Sequence, residues 1–293
     1  MKILLTGSSG FIGQHIKAAL LRSSSSIGEN HTLLAPSHKE ADFNSNLTIE
    51  DWLPLLEEVD VVINSVGIIV ESKDQLFSQL HTAAPIALFK ACVKSGVKRV
   101  IQISALGADE QAFTPYQISK YRADKVLRDL PLLWFVLRPS LVYGEGGKSS
   151  AMFKRLASLK LIPLPDAGKQ LIQPVHISDL VAVVEQCLRE ETQVRKTIDV
   201  VGPKAMTLAD YLQAIRASMG KTKAKIVAVP IRLSLFAASV GYKLIPLFHP
   251  DNMHMLMQGN VADVKPLEDF LGRLPLTVEK GFAQKSSEFE RRP

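Results

Sequence analysis

Lys2-Ile-Leu-Leu-Thr-Gly-Ser-Ser-Gly-Phe-Ile-Gly-Gln-His-Ile-Lys-Ala-Ala-Leu-Leu21 reads as strand, tight turn and helix, with glycines at the bend. The run Ile3 to Thr6 is apolar and partly β-branched, as a strand buried on both faces requires, and Ile12, Ile16, Ala19 and Leu20 recur at helical spacing. Gly7 permits a sharp exit from the strand. Gly10 lets the backbone approach a pyrophosphate with no Cβ in the way, and Gly13 lets the helix pack closely on the sheet. The helix N-terminus then faces the phosphates. Gly7, Ser9, Gly10, Phe11, Ile12 and Gly13 are therefore candidate dinucleotide contacts, although the same glycines would serve an ordinary structural turn.

Outward from this start, strand and helix alternate. Thr32 to Ala35 makes a second strand, followed by Pro36-Ser37-His38-Lys39. An acidic side chain at that point would accept from the ribose 2′-hydroxyl of NAD, whereas basic and hydroxyl groups accommodate the 2′-phosphate of NADP. No acid stands at the strand end and Glu40 comes late, so Ser37, His38 and Lys39 favour NADP, with NAD still open and a solvated turn as the alternative. Asp42 could reach the adenine amino group, with Phe43 beside it. Trp52 to Glu58 reads as a short helix, and Val59 to Ile69 as a strand that ends in the small residues Ser65, Val66 and Gly67, leaving space for a ligand across the sheet. A helix from about Gln75 to Ser95 stops at Gly96, and a strand runs from Arg99 to Ser104. After the loop Asp109 to Pro115 come a helix, Tyr116 to Leu130, and a strand, Leu133 to Leu137. This order predicts an α/β chain with a Rossmann-type, doubly wound parallel sheet.

Beyond Gly144 the pattern changes. Met152 to Leu161 reads as a basic helix, Ile162 to Gly168 as a proline-rich loop, Ile177 to Leu188 as a helix, and Thr197 to Val201 as a strand that could rejoin the sheet. The remainder is mostly helical, with Thr207 as N-cap and Asp210 three residues on. The expected organisation is a dinucleotide-binding domain over 1–146, to which 177–202 returns. Residues 147–176 and 203–293 form a smaller, mostly helical C-terminal substrate lobe over the ligand crevice.

With 293 residues, 46% of them hydrophobic, the chain can bury a sizeable core. The formal charge of +6 is spread along it without a basic run or aromatic ladder, which argues against nucleic acid and leaves an anionic ligand open. Cys92 and Cys187 lie in apolar helical stretches and read as reduced core thiols. The His residues show no metal-ligand spacing, so no metal is expected. The first strand begins at residue 2 and no apolar run reaches the ~20 residues of a membrane span, so the expected compartment is the cytoplasm.

Tyr116 and Lys120 stand about one helical turn apart, and Ser104 ends the preceding strand. The trio suits hydride transfer at a carbonyl. A tyrosine hydroxyl near pKa 10 is a poor base, and an ammonium group beside it stabilises the phenolate. Lys120 can supply that charge while binding the nicotinamide ribose, and Ser104 can donate to the substrate oxygen.

With these residues in order, the chain resembles the short-chain dehydrogenase/reductase superfamily in its extended or atypical branch. The resemblance rests on Gly7-Ser-Ser-Gly-Phe-Ile-Gly13, Gly96-Val-Lys-Arg-Val-Ile-Gln-Ile-Ser104, Tyr116-Gln-Ile-Ser-Lys120, Leu137-Arg-Pro-Ser-Leu-Val-Tyr-Gly144 and Pro174-Val-His-Ile-Ser-Asp-Leu180. It implies Ser104, Tyr116 and Lys120 as catalytic residues, Arg138 and Pro139 at the nicotinamide end, and a small-molecule substrate that it does not identify. Ile103-Ser-Ala-Leu-Gly-Ala108 and Leu171-Ile-Gln-Pro-Val-His176 are similar to the NAD(P)-binding accessory subunit of respiratory complex I. That branch includes proteins that hold a nucleotide without established turnover, so a nucleotide-binding structural, assembly or redox-sensing role stands as the alternative. Many extended members carry Asn, which fixes a backbone kink and a relay water, where His81 stands here. His81 either substitutes or is a packed helix residue.

His176 and Asp179 invite comparison with a hydrolase triad through Ser178 or Ser140, but no G-x-S-x-G elbow accompanies them. Asp179 reads as a first-turn residue, with Ser178 as a possible N-cap. The stretch 226–248 is the most apolar part of the late region and carries only Arg232 and Lys243 as cations, which suits a lid, a protein-complex contact or a peripheral membrane contact. Met253, Met255 and Met257 follow as candidates for an adaptable apolar lining.

Overall fold

The computed structural model describes residues 1–23, 31–234 and 249–283. The chain divides into two units, Met1–Pro139 with Leu180–Asp199, and Ser140–Asp179 with Val200–Pro293.

In the first unit, β1 (Lys2–Thr6), β2 (Thr32–Leu34), β3 (Val61–Asn64), β4 (Arg99–Ile103) and β5 (Leu133–Pro139) join the strand Lys196–Val200 in one sheet. The spatial order is Lys196–Val200, β5, β4, β3, β1, β2. The pairs among β1 to β5 are parallel, in registers such as Leu4↔Val62, Val62↔Val100 and Val100↔Trp134. From β1 the chain passes through α1 (Phe11–Ser23) to β2 on one side, then returns to β3 on the other. The order therefore reverses at β1, where doubly wound sheets leave a crevice at the strands' carboxyl ends. Leu4, Val62, Val100 and Val136 bury one sheet face against Trp52, Leu88, Phe89, Ala123 and Leu127.

Three polar side chains interrupt the apolar pattern at those carboxyl ends. Thr6 Oγ1 donates to Asn64 Oδ1 at 2.7 Å, and Asn64 Nδ2 donates to Gln102 Oε1 at 2.8 Å, all fully buried. Asn64 Oδ1 also accepts from the Val66 N–H at 3.2 Å. The ladder ties the ends of β1, β3 and β4 and fixes where the loop after β3 begins.

Some elements depart from the sequence reading for identifiable reasons. The helix expected over 52–58 starts earlier, as α2 (Ile49–Trp52), because Thr48 and Asp51 form a capping box; only a single 3₁₀ turn, Leu53–Leu55, follows. The long helix before Gly96 is two elements, a π-helical turn over Ser78–Ala83 and then α3 (Ala84–Ser95). Pro85 cannot donate to His81, and its ring would crowd that carbonyl. The backbone widens instead, and Ala84 N–H reaches Gln79 O. α3 ends at Gly96 with φ +80°, and α4 (Pro115–Asp129) begins on a Thr114 cap to Gln117 N–H.

In the second unit the basic helix is Lys148–Ala157, several residues before its expected place. The proline-rich segment is not a loop. Leu161–Pro165 is a strand paired in parallel with Lys225–Val229, with Ile162 and Leu164 turned into the core. Each strand of a two-stranded sheet is an edge, where proline is tolerated. The core gathers Tyr143, Ile162, Leu164, Leu208, Tyr211, Leu212 and Ile215. Thr207 caps Leu208–Ser218 by accepting from Asp210 N–H at 3.0 Å.

Of the apolar stretch 226–248, residues 226–229 lie in that strand and 231–234 are helical; residues 235–248 fall outside the described residues. The methionines sit on the helix Pro250–Gln258, where Met253 is buried and shares a face with Met257, while Met255 points elsewhere. Cys92 and Cys187 are buried free thiols that burial pushes well above the usual thiol pKa. Among the described residues no helix is long and apolar enough to cross a membrane, and no cluster of His, Cys, Asp and Glu has a metal-binding arrangement.

Candidate functional site

The loop after β1 is packed from beneath. Gly7 takes φ +73°, and a Cβ there would lie 2.8 Å from Ser65 C. A Cβ on Gly13 would lie 2.1 Å from Gly7 O, so the third residue of α1 has no room for a side chain. Gly10 differs, since its Cβ would meet only Gly7 O at 3.3 Å and otherwise face open space. Gly10 N–H closes the turn onto Gly7 O at 2.9 Å, and the first turn of α1 carries no acidic side chain. An open glycine face at a helix N-terminus free of carboxylates suits a pyrophosphate. The residues present thus fit a dinucleotide.

After β2, Ser37, His38 and Lys39 are exposed. Glu40 folds back so that its Oε2 accepts from Ser37 N–H at 2.7 Å, and that bond holds its carboxyl below the usual range. The turn therefore carries a carboxylate that its place in the sequence did not suggest. Asp42 Oδ1 accepts from Asn44 N–H at 2.9 Å and lies 3.8 Å from His38 Nε2. Phe43 is buried edge-on against Trp52, with ring centroids 5.0 Å apart, which leaves its backbone for ligand contact.

Tyr116 and Lys120 occupy successive turns of α4. Lys120 is 3% exposed, and its Nζ donates to Val66 O and Ile103 O at 3.1 Å each, so the ammonium pins the Ser65–Gly67 loop to the end of β4. Burial lowers its pKa to about 8, against a raising effect of Asp124. Burial, then the charge of Asp124, raises Tyr116 to about 12. The phenol therefore keeps its proton at neutral pH. Ser104 is also engaged in a hydrogen bond. Its hydroxyl donates to Asp124 Oδ2, and both groups are buried.

His81 lies within the π-helical turn and is fully buried. Its Nε2 accepts from Ile68 N–H at 3.0 Å, which fixes the proton on Nδ1, 3.0 Å from Ser119 Oγ. Ser119 Oγ in turn donates to Tyr116 O at 2.7 Å. The ring stacks on Phe77 (centroids 5.1 Å) and meets the edge of Tyr116. Burial and the nearby Lys120 charge hold it well below the ordinary histidine pKa, hence neutral. With both nitrogens engaged, His81 positions Ile68 and Tyr116 as a packed residue.

Arg138 makes a forked pair with Asp199, Nε to Oδ1 at 2.6 Å and Nη2 to Oδ2 at 3.0 Å, and lies 3.5 Å from Asp109. Pro139 closes β5, and its carbonyl accepts from Leu106 N–H at 3.0 Å. The helix Ile177–Leu188 begins before Ser178, so Ser178 is not its N-cap, and the His176 ring accepts from Ser178 N–H at 3.3 Å. Asp179 is buried, accepts from Leu276 N–H at 2.8 Å and pairs with Arg273 at 2.7 Å, which is structural anchoring and not a triad.

A family model described as the NAD dependent epimerase/dehydratase family matches residues 3–202. The chain belongs to that family. It is 26% identical to a UDP-glucose 4-epimerase of Vibrio cholerae over 98% of this chain and 95% of that protein. It is 25% identical to the 40 kDa subunit of mitochondrial NADH-ubiquinone oxidoreductase from Neurospora crassa, over 76% of this chain and 58% of the subunit. Identity to Mus musculus NADH dehydrogenase 1 alpha subcomplex subunit 9 is 27%, over 76% of this chain and 60% of the subunit. The chain thus spans about three fifths of those two subunits. Among solved structures, MoeE5 in complex with UDP-glucuronic acid and NAD matches with a TM-score of 0.72 at 19% identity, covering 99% of both chains. A Thermotoga maritima UDP-glucose 4-epimerase with UDP-glucose matches at 0.69 and 17%, again over 99% of both. The fold is that of an epimerase/dehydratase of the extended short-chain dehydrogenase/reductase type.

Two parts of the site escaped the sequence reading. Asp124 was visible as the residue one further turn along the face of Tyr116 and Lys120. The π-turn was signalled by Pro85 inside an apparent helix.

Proposed function

We propose that the chain is an NAD(P)-dependent oxidoreductase that moves hydride between NADP(H) and a carbonyl or secondary alcohol, with NAD(H) as the competing cofactor. The observation that carries this reading is Lys120 Nζ held between Val66 O and Ile103 O one turn from Tyr116. When bound, the nicotinamide supplies the hydride acceptor or donor. Tyr116 is the acid/base, and its raised pKa makes it a proton donor toward a forming alkoxide at neutral pH. Lys120 holds the positive charge beside it and binds the ribose. Ser104 donates to the substrate oxygen, turning its hydroxyl from Asp124 Oδ2. Gly7, Ser9, Gly10, Phe11, Ile12, Gly13, Ser65, Val66, Gly67 and Pro139 form the cofactor surface, with Asp42 and the Phe43 backbone at the adenine end.

Exposed Ser37, His38 and Lys39 support the 2′-phosphate of NADP, and the Glu40 carboxylate on Ser37 N–H supports NAD. The buried free thiols support a reducing compartment such as the cytoplasm.

The likeness to the respiratory subunits favours a second reading, a nucleotide-holding protein that contacts a membrane complex through 226–248 without turnover. Replacing Tyr116 by Phe separates the two. Under the first reading, cofactor oxidation with a panel of ketones, aldehydes, quinones and nucleotide sugars falls by about 10²–10⁴-fold in Y116F while nucleotide binding persists. Absence of turnover by the wild-type protein across the panel, with nucleotide bound, supports the second.

A further inference from the structure

Tyr116, Lys120 and Asp124 follow one another at four-residue steps on α4, about 6 Å of rise each, so they line one face of the helix. Lys120 is buried and bonded only to carbonyl oxygens, and among the described residues no carboxylate lies within ion-pair distance of it. A buried ammonium in that position is costly unless a negative charge compensates it. Asp124 is fully buried, its Oδ2 accepts from the Ser104 hydroxyl, and its Oδ1 has no hydrogen-bond partner among the described residues. Among the described residues no cation is in ion-pair contact with it either.

The other charges around it are committed elsewhere. Arg138, from β5, is forked onto Asp199. Arg128, further along α4, lies over the Tyr121 ring and reaches Thr197 Oγ1. His81 faces Lys120 from the π-turn as a neutral ring whose Nε2 accepts from Ile68.

We infer that Asp124 is a positioning residue, the counter-charge of Lys120 across one helical turn, anchored by Ser104, which keeps the reacting pair as ammonium and phenol. The inference rests on the reading of Tyr116 and Lys120 as that pair. The charge of Asp124 favours the Lys120 cation and opposes a Tyr116 phenolate, so it biases the site toward giving a proton. The directions agree: burial lifts Asp124 to about 6 despite the Ser104 bond and Lys120, while its charge supports Lys120 at about 8. Between those values the face carries a carboxylate, an ammonium and a phenol together.

The test follows the Lys120 side chain by NMR titration of the ¹³C-labelled full chain without nucleotide, its resonance assigned with K120R. The wild-type midpoint is expected near 8. It falls by about one unit in D124N and returns in D124E, which restores the charge. S104A, which removes the anchor but leaves the carboxylate, shifts it the same way by less and serves if D124N does not fold. An unmoved midpoint in folded D124N, or in S104A, overturns the inference. Since no nucleotide or substrate is present, failure of the hydride-transfer reading would appear separately, as absent turnover with the Lys120 shift intact.

Discussion

His81 and Tyr116 meet edge to face with ring centroids 5.5 Å apart, and Phe77 closes the cluster at 5.8 Å from Tyr116. The contact holds the tyrosine ring from the side of the π-turn, while Lys120 holds the loop opposite through Val66. Two bases buried side by side are tolerated because one, His81, stays neutral.

That neutrality makes stability depend on pH in a definite direction. The folded pKa of His81 is lowered from 6.5. Below about pH 6.5 the unfolded chain binds a proton that the folded chain refuses, so the contribution is complete above that value and lost as pH falls. Urea-unfolding curves should show stability declining by up to about 1.4 kcal/mol per pH unit below 6.5 from this group. In H81Q, which keeps an acceptor for Ile68 N–H without a titrating ring, the decline should be shallower. Parallel pH profiles for the two proteins would contradict the assignment.

Much of the fold was legible because it is written in periodicity. Ile3 to Thr6, Val61 to Asn64 and Arg99 to Ile103 are apolar runs broken only at their ends, and Gly96 marks a helix stop by its left-handed φ. The elements misplaced were those whose signals conflict. Pro163 and Pro165 read as loop residues although Ile162 and Leu164 alternate into a core. Tyr116 and Lys120 were legible as helical neighbours. The hydrogen-bonding of Ser104 was not, since its partner Asp124 lies 20 residues away and only the packing of α4 on β4 brings them together.

The close approach of Gly13 to Gly7 gives a second expectation. A Cβ at residue 13 would lie 2.1 Å from one backbone atom and 2.7 Å from another, and backbone cannot swing aside as a flexible side chain does. G13A should lower stability by about 3 kcal/mol, read by chemical denaturation. A change within the error of the method would mean that the first turn of α1 sits further from β1.

The Arg138–Asp199 fork joins β5 to the edge strand with both side chains largely buried, 18% and 26% exposed. Charge-assisted paired hydrogen bonds in such a place should make D199N less stable by about 1–2 kcal/mol. R138K, which keeps the charge but not the fork, should recover only part of the wild-type stability. Equal stability of R138K and wild type, measured by thermal unfolding, would show that geometry contributes nothing there.

The measurement that bears most directly on the account is calorimetric titration of the full chain with NADPH and then NADH, beside the variant G10D. A side chain at residue 10 meets only Gly7 O, at 3.3 Å, with open space beyond, so this variant should fold after a small shift of that carbonyl while placing a carboxylate where the pyrophosphate would lie. The account predicts saturable binding of at least one of the two nucleotides by the wild-type protein and its loss in folded G10D. Failure of the wild type to bind either nucleotide, or undiminished binding by G10D, would contradict it.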